Sequence, residues 1–465
     1  MATIRRTQNV MTAAQPLIAL LDIGKTNAKL SLLDGVDGRE IWQERRPNQS
    51  CRGIYGAELD VAAIERWLFD ALTRAPHKKR ITHIVPVAHG AAAVLVDPDG
   101  RVLSAPDYED ACCEAVSAEY DQLRDGFEHT FSPNLPLGLN LGRQLFCIQR
   151  THPMLFWRAR HILLYPQYWA WRLSGVASSE VTSLGCHSDL WRPRDAQFSA
   201  LAERQGWTQL FPPRRAAADV LGTVKPEVAA QCGLALDCKV VCGIHDSNAS
   251  YLKFLIGREH SAFTVISSGT WTVVMANGGE LSNLVEQKDM LANVNAFGEP
   301  VPTARYMGGR EYEAIGPGLD WPTLEGVREV IKQGAMALPA FAAAGPFSGQ
   351  VGLLLRAENL TGVERASLAT LYAASMTSLL IASLHASGDV LIDGPLASNP
   401  LFGSLLATLT GSVVELQAGE VGGARAALFL AGKNVGRIPV KRSEAIELPE
   451  LRAYHASWRA RLGQA

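Results

Sequence analysis

Leu17-Ile-Ala-Leu-Leu-Asp22-Ile-Gly24-Lys25-Thr26-Asn27-Ala28-Lys-Leu-Ser-Leu-Leu33 is the stretch that decides how this chain is read. Leu17 to Leu21 is a continuous apolar run of strand length. Residues 22–27 turn the chain, and Ala28 to Leu33 alternates as a second strand does. Asp34-Gly35 is a turn signal, and Glu40 to Arg46 predicts a third strand that completes a meander. The turn contains Gly24-Lys25-Thr26, as a P-loop does. A P-loop also needs a glycine five residues before Gly24, where Ala19 stands, and a helix after the Lys-Thr, where a strand follows. What remains is a tight hairpin. Its backbone N–H groups and hydroxyl can approach a polyphosphate closely, and Asp22 can orient hydrated Mg²⁺. The plain alternative is an ordinary hairpin turn.

Working outward, apolar residues at Val61, Ile64, Leu68 and Leu72 predict a helix over Asp60 to Arg74, followed by a buried strand from Ile81 to Val87. His89 follows that strand and reads equally as a core histidine. Ala92 to Leu103 reads as a hairpin turning at Asp97-Pro-Asp-Gly100. Residues 107–215 are helix-rich with aromatic clusters, and Lys239 to Gly243 is a strand ending in the loop Ile244 to Asn248. Asp246 therefore sits at a strand's carboxyl end, where α/β proteins place ligand sites. A carboxylate there can accept the proton of an attacking hydroxyl, or it can cap a helix beginning near Ala249. The opening pattern then returns: Ser261 to Ile266 is a strand, Ser267 to Thr270 a turn, and Trp271 to Met275 a strand. Gly269 takes the place of Gly24. This is an internal duplication of a strand–turn–strand unit, with a period too long for a solenoid. A helix over Leu368 to Leu384, a strand over Asp389 to Ile392, the loop Asp393-Gly394-Pro395 and a helix over Pro400 to Gly411 follow.

The chain has 465 residues, which suits two domains, and 47% hydrophobic residues, which can fill large cores. A formal net charge of -2 supplies no basic excess for nucleic acid, and His77-Lys78-Lys79-Arg80 reads as a solvated turn. None of the eight cysteines forms a Cys-x-x-Cys pair, and their scatter does not suggest a disulfide framework. Cys232, Cys238, Cys242 and His245 lie close in sequence, but their spacing fits no standard zinc pattern. The apolar stretches fall short of the ~18 residues of a membrane span. Residues 1 to about 15 read as a disordered leader, and the setting as reducing and cytoplasmic.

Four stretches, in this order, resemble the FGGY family of carbohydrate kinases, within the actin/hexokinase/Hsp70 ATPase superfamily. Leu21-Asp-Ile-Gly-Lys-Thr-Asn-Ala-Lys29 is similar to the first phosphate motif and Val265-Ile-Ser-Ser-Gly-Thr-Trp271 to the second. Gly243-Ile-His-Asp246 is similar to the catalytic-base motif, and Leu391-Ile-Asp-Gly-Pro-Leu-Ala-Ser-Asn-Pro-Leu401 to the adenosine motif. The resemblance runs from about Leu17 to about Gly436. It implies an α/β fold of two ribonuclease-H-like domains with a cleft between them. Residues 16–245 would form the N-terminal sugar-binding domain and 246–440 the C-terminal nucleotide-binding domain.

The resemblance further implies ATP and Mg²⁺ as cofactors and a small-molecule sugar as partner, with no nucleic acid, no membrane, and room for a homodimer. Asp246 would be the general base and Asp22 the Mg²⁺ residue. Gly24, Thr26, Asn27, Ser268, Gly269 and Thr270 would contact the triphosphate, with Gly394 and Asn399 at the adenosine. His89, Gly90, Ala91, Gln144 and His245 would join Asp246 on the sugar side, with Tyr165-Pro-Gln-Tyr168 in the same subdomain. Lys25 departs from the small residue common in the family, and Asp393-Gly394 from Gly-Gly. A His before the base resembles rhamnulokinases and fuculokinases. The expected substrate is thus a 6-deoxy-ketohexose, L-rhamnulose or L-fuculose, phosphorylated at the C1 hydroxyl. Ala91, Ala92 and Ala93 would supply part of an apolar wall for the methyl group, or merely pack under the following strand. Other ketoses and polyols (xylulose, ribulose, erythritol) are alternatives, as is a non-catalytic sugar or nucleotide sensor. The sensor has no use for a base such as Asp246. A Rossmann dehydrogenase is excluded by the lack of Gly-x-Gly-x-x-Gly.

Overall fold

The computed structural model describes residues 3–6, 15–318, 320–417 and 422–462. They fall into two compact units, one drawn from residues 1–257, 293–299 and 421–437, the other from 258–292, 300–420 and 438–465.

In the first unit β1 (Thr3–Arg6), β2 (Leu17–Ile23), β3 (Asn27–Asp34), β4 (Glu40–Pro47), β5 (Ile81–Ala88), β6 (Val220–Thr223), β7 (Lys239–Val241) and β8 (Ile244–His245) form one sheet. Its order is β1-β4-β3-β2-β5-β7-β6, with β8 also alongside β5. β2, β3 and β4 are the antiparallel meander read from the opening stretch, and β5 runs parallel to β2. Leu17, Ile18, Ala19 and Leu21 have no exposed surface, as expected of a central strand covered on both faces. α1 (Val61–Arg74) buries Val61, Ile64, Leu68 and Leu72 as its periodicity requires. Its N-cap is Asp60, whose carboxylate accepts the Ala63 N–H at 2.9 Å. α2 (Asp246–Leu255) begins three residues earlier than the expected start near Ala249. The reading of residues 1–15 as a disordered leader needs correction at Thr3–Arg6, which pair antiparallel with β4. Residues 7–14 lie outside the described residues.

In the second unit β9 (Phe263–Ser268), β10 (Thr272–Asn277), β11 (Met290–Val294), β12 (Pro300–Tyr306), β13 (Asp389–Asp393), β14 (Val414–Leu416) and β15 (Lys441–Ser443) give the order β11-β12-β10-β9-β13-β14-β15. β12-β10-β9-β13-β14 repeats β4-β3-β2-β5-β7: an antiparallel meander whose first strand also pairs with a parallel one. The duplicated ribonuclease-H-like topology is therefore present in both units. The second hairpin turns later than expected. Ser267 and Ser268 stay in the ladder, Ser268 opposite Thr272, and residues 269–271 make the turn. The hydroxyl residues that suggested a turn are held extended by their cross-strand partners.

Two helices matter below. α3 (Gly308–Ile315) follows β12, and α4 (Gly362–Ser383) runs through the unit. α4 starts before the expected Leu368 because Thr361 and Glu364 form a capping box, each bonding the other's backbone N–H. Contrary to the expectation that no stretch reaches membrane length, α4 is long and apolar enough to span by length and composition. Its most apolar window is 83% buried inside the protein, as in the core helix of a globular unit.

Candidate active site

Three parallel strand ends bring the first set of residues together. Across β2, β5 and β8, Asp22, Val87 and Ile244 share one row of the register, and Ile23, Ala88 and His245 the next. The residues that follow, Gly24, His89 and Asp246, leave the sheet at one edge. This is the carboxyl edge of the parallel strands, where the chain separates and a ligand can enter.

At the end of β2 the Gly24 N–H donates to Asn27 O at 2.9 Å, closing the hairpin turn. Asn48 braces the turn. Its N–H reaches Thr26 O and its side-chain amide reaches Gly24 O, each at 2.8 Å. Thr26 and Asn27 are left exposed at the tip. Lys25, flagged as a departure, is committed elsewhere: its ammonium pairs with Asp107 at 2.7 Å and Glu109 at 3.0 Å. It also lies 5.4 Å from the Tyr108 ring centroid. Asp22 faces Lys29 across the ladder, 3.3 Å away. Burial lifts its carboxyl pKa, Lys29 opposes that, and the charge of Asp246 adds to it. Among the described residues no three His, Cys, Asp or Glu side chains converge as a metal cage. A single half-buried carboxylate fits Mg²⁺ better than most ions, since Mg²⁺ is usually held by one or two carboxylates, water and substrate phosphates.

His89 is buried between Tyr108 and Tyr165, with ring centroids at 5.8 and 4.9 Å. Its Nδ1 lies 2.9 Å from Gly90 O, which can only accept, so Nδ1 carries the hydrogen and Nε2 keeps a lone pair. Burial lowers its pKa and favours the neutral ring. Gly90 is required by proximity: a Cβ there would stand 2.6 Å from His245 Nε2. Ala91 takes a φ of 52°, and Gln144, fully buried, donates to its carbonyl at 2.7 Å and to Gly138 O. Among the described residues Gln144 Oε1 has no hydrogen-bond partner. Ala92 and Ala93 are built into the hydrophobic clusters beneath, which favours their packing role over a methyl-binding wall.

Asp246 opens α2. Burial would raise its pKa, but the hydrogen bond and charge of His245 override this and hold the carboxyl below its ordinary value. His245 Nε2 is 3.2 Å from Asp246 Oδ1. Asp246 Oδ1 accepts the N–H of the next residue, Ser247, not of residues two or three further on, so it does not act as an N-cap. The turn before it, with Gly243 at φ 87°, is pinned by Gln167, whose amide donates to Cys242 O and Gly243 O at 3.1 Å.

The second set lies in the other unit. Ser268 Oγ donates to Asp393 O at 2.6 Å and accepts Leu396 N–H at 3.0 Å, tying the second hairpin to the loop after β13. Gly394 has a φ of 83°, and a Cβ there would stand 2.0 Å from Ser268 O, so only glycine fits. Gly308 and Gly309, which sequence reasoning missed, bring the start of α3 against the hairpin. A Cβ on Gly309 would be 2.3 Å from Gly269 O. Around these a pocket of about 450 Å³ is lined by Gly269, Thr270, Tyr312, Trp321 and Asn399, among others. Asn399 has spent its amide inside the unit: Oδ1 accepts Leu401 and Phe402 N–H, and Nδ2 donates to Thr370 and Tyr312. It shapes the wall rather than offering free donors. Trp321 is 59% exposed, unusual for so large an apolar ring. Only the Met307-Gly-Gly-Arg310 pattern beside β12 could have drawn attention to this region beforehand.

Two glycine hairpins on duplicated ribonuclease-H-like units, with a carboxylate at a strand's carboxyl end, are the arrangement that the resemblance to ATP-dependent sugar kinases implies. Comparison with known proteins agrees. Residues 17–252 match the N-terminal domain of the FGGY family of carbohydrate kinases, and residues 260–438 match the carbohydrate kinase FGGY C-terminal domain. The solved structure of a carbohydrate kinase from Novosphingobium aromaticivorans is 36% identical with a TM-score of 0.88, over 96% of this chain and 100% of that one. A gluconate kinase from Lactobacillus acidophilus (14% identity, TM-score 0.74, 96% of this chain and 98% of that one) shares the fold. So does a xylulose kinase from Rhodospirillum rubrum (18%, 0.74, 96% and 98%). No curated protein sequence gives a match. This chain belongs to the FGGY family of carbohydrate kinases, and it is an ATP-dependent sugar kinase.

Proposed function

We propose that the protein phosphorylates a small ketose, with Asp246 taking the proton of the acceptor hydroxyl. The observation that carries this reading is the Asp246 carboxylate, kept ionised by His245 at the carboxyl edge of the parallel strands. An ionised carboxylate at that place can act as a general base, and phosphoryl transfer otherwise needs mainly positioning and charge neutralisation. Asp22 would hold Mg²⁺, which when bound neutralises charge on the triphosphate. Gly24, Thr26, Asn27, Gly269 and Thr270 would contact phosphates, as the family resemblance implies. The pocket lined by Trp321 and Asn399 would take the adenosine, with Gly394 in the loop that leads into its Pro395 and Leu396 wall. On the sugar side, His89 Nε2 offers an acceptor, and Gln144 holds the Ala91 peptide and leaves Oε1 available.

Among ketoses the preferred substrate is a 6-deoxy-ketohexose, L-rhamnulose or L-fuculose, phosphorylated at C1. Its support is the His245-Asp246 pair, since Ala92 and Ala93 lie in packed interior. The test is ADP release with Mg²⁺-ATP and a panel of L-rhamnulose, L-fuculose, D-xylulose, L-ribulose and erythritol. The highest kcat/KM on a 6-deoxy sugar supports the assignment. A pentulose or polyol as the best substrate overturns it.

A further inference from the structure

The polar contacts that the described residues make with the Asp246 carboxylate all fall on one oxygen. Oδ1 accepts the Ser247 N–H at 2.6 Å and the Ser247 hydroxyl at 3.3 Å, and His245 Nε2 lies 3.2 Å from it as an ion-pair partner. Among the described residues none reaches Oδ2. His245 is only 4% exposed, so it stands behind the base rather than on an open wall. It is fixed on several sides. Its backbone N–H donates to Thr182 Oγ1 at 3.1 Å, and Thr182 passes its own hydroxyl hydrogen to the buried Glu180 carboxylate. Ring atom Nδ1 lies 3.4 Å from the Asn248 side-chain nitrogen. Gly90 closes over the Nε2 edge, where a Cβ would stand 2.6 Å from the ring nitrogen.

We propose that His245 is a positioning residue for Asp246: it pins Oδ1, so that Oδ2 alone is presented to the acceptor hydroxyl, while Thr182 fixes the His245 backbone and Gly90 closes on its ring. The proposal rests on Asp246 being the general base. A carboxylate with one oxygen fixed has lost its side-chain rotation before substrate arrives, and preorganisation of this kind raises the rate of the chemical step.

The charges around the ring act in the same sense. Burial disfavours an imidazolium, but the charges of Cys186 and Asp246 raise the His245 pKa above the ordinary value. The other titratable groups that feel this cluster are Glu180, His187, His89, Asp22 and Tyr108. A cationic His245 in turn keeps Asp246 ionised to lower pH.

The experiment measures kcat and KM of the full-length chain from pH 5 to 9, using the best acceptor of the five-sugar panel. The variants are His245→Ala, His245→Gln, Cys186→Ala, Cys186→Ser and Asp246→Asn. His245→Ala should lower kcat about 10²-fold with the KM for ATP little changed, the scale of a ~1 Å misplacement. His245→Gln retains an N–H donor for Oδ1 and should recover much of that loss. It should also move the acid limb of kcat/KM to higher pH, because the cation is gone. Cys186→Ala and Cys186→Ser should move the limb the same way by less. Parent turnover in His245→Ala, or equal losses in the Ala and Gln variants with an unmoved pH profile, overturns the proposal. Asp246→Asn separates the two readings. If it is inactive while the His245 variants turn over normally, only the positioning role fails. If it keeps the parent rate, the base assignment fails and the positioning role with it.

Discussion

An alanine at position 90 would put a methyl carbon 2.6 Å from His245 Nε2 and 3.1 Å from Cδ2 and Cε1. Ordinary contact between such atoms is about 3.5 Å or more, so the ring or the loop after β5 must yield by roughly 1 Å. The ring has little room, since His245 is 4% exposed and its backbone is tied to Thr182. The strain falls on the 3.2 Å contact between Nε2 and Asp246 Oδ1. Overpacking of this size costs about 1–3 kcal/mol of stability, and a base moved by ~1 Å loses about 10²-fold in rate. Gly90→Ala should therefore lower kcat about 10²-fold in a coupled ADP-release assay. The KM for ATP should stay within about twofold, because the nearest atoms a Cβ on Gly90 meets are all in His245 rather than in the Gly24 turn or the pocket with Trp321. A thermal unfolding scan should show a drop of several degrees. Parent kcat together with a parent thermal midpoint would refute the claim that the Gly90 backbone must lie against His245.

Two further outcomes follow from the second unit. Trp321→Ala should raise the KM for ATP several-fold with the sugar KM unchanged, because stacking of a base on an aromatic ring is worth about 1–3 kcal/mol. An unchanged ATP KM removes Trp321 from the nucleotide pocket. Glu311 is buried against the Tyr372 hydroxyl, and burial pushes its pKa up to about 7. From pH 4.5 to 7 the folded state then binds a proton that the unfolded state does not, so this group's stabilisation is present below pH 4.5 and lost as pH rises, by at most about 1.4 kcal/mol per unit. The thermal midpoint of Glu311→Gln should accordingly gain on the parent between pH 5 and 8, and a difference independent of pH contradicts the shift.

The legible parts of this molecule were those governed by local pattern. The apolar run Leu17–Leu21, the polar turn and the alternation after Ala28 gave the first hairpin nearly to the residue. Its repetition revealed the duplicated topology. The second hairpin was misplaced by two residues because Ser267 and Ser268 look like turn residues until their partners Val273 and Thr272 are known. The candidate site divides the same way. Asp22, Gly24, His89 and Asp246 were readable because each lies at the end of a recognisable strand or just after it. Lys25 gave no hint that it is bound by Asp107 and Glu109, more than eighty residues away in sequence. Nor could the charge that Cys186 exerts on His245, or the pocket position of Trp321, be read from spacing, since tertiary folding alone brings such residues together. The alanines after Gly90 show the limit from the other side: small apolar residues suit a ligand wall and a packed core equally well, and burial settles Ala92 and Ala93 as core.

The most direct test of the account is acceptor-dependent ADP release with Mg²⁺-ATP, comparing the parent chain with Asp246→Asn. Sugar binding should survive the substitution, because the amide is nearly isosteric with the carboxylate. The rate should fall by about 10²–10⁴-fold, the usual worth of a positioned general base. Equal rates in parent and variant on the same sugar would contradict the assignment of Asp246 as the base.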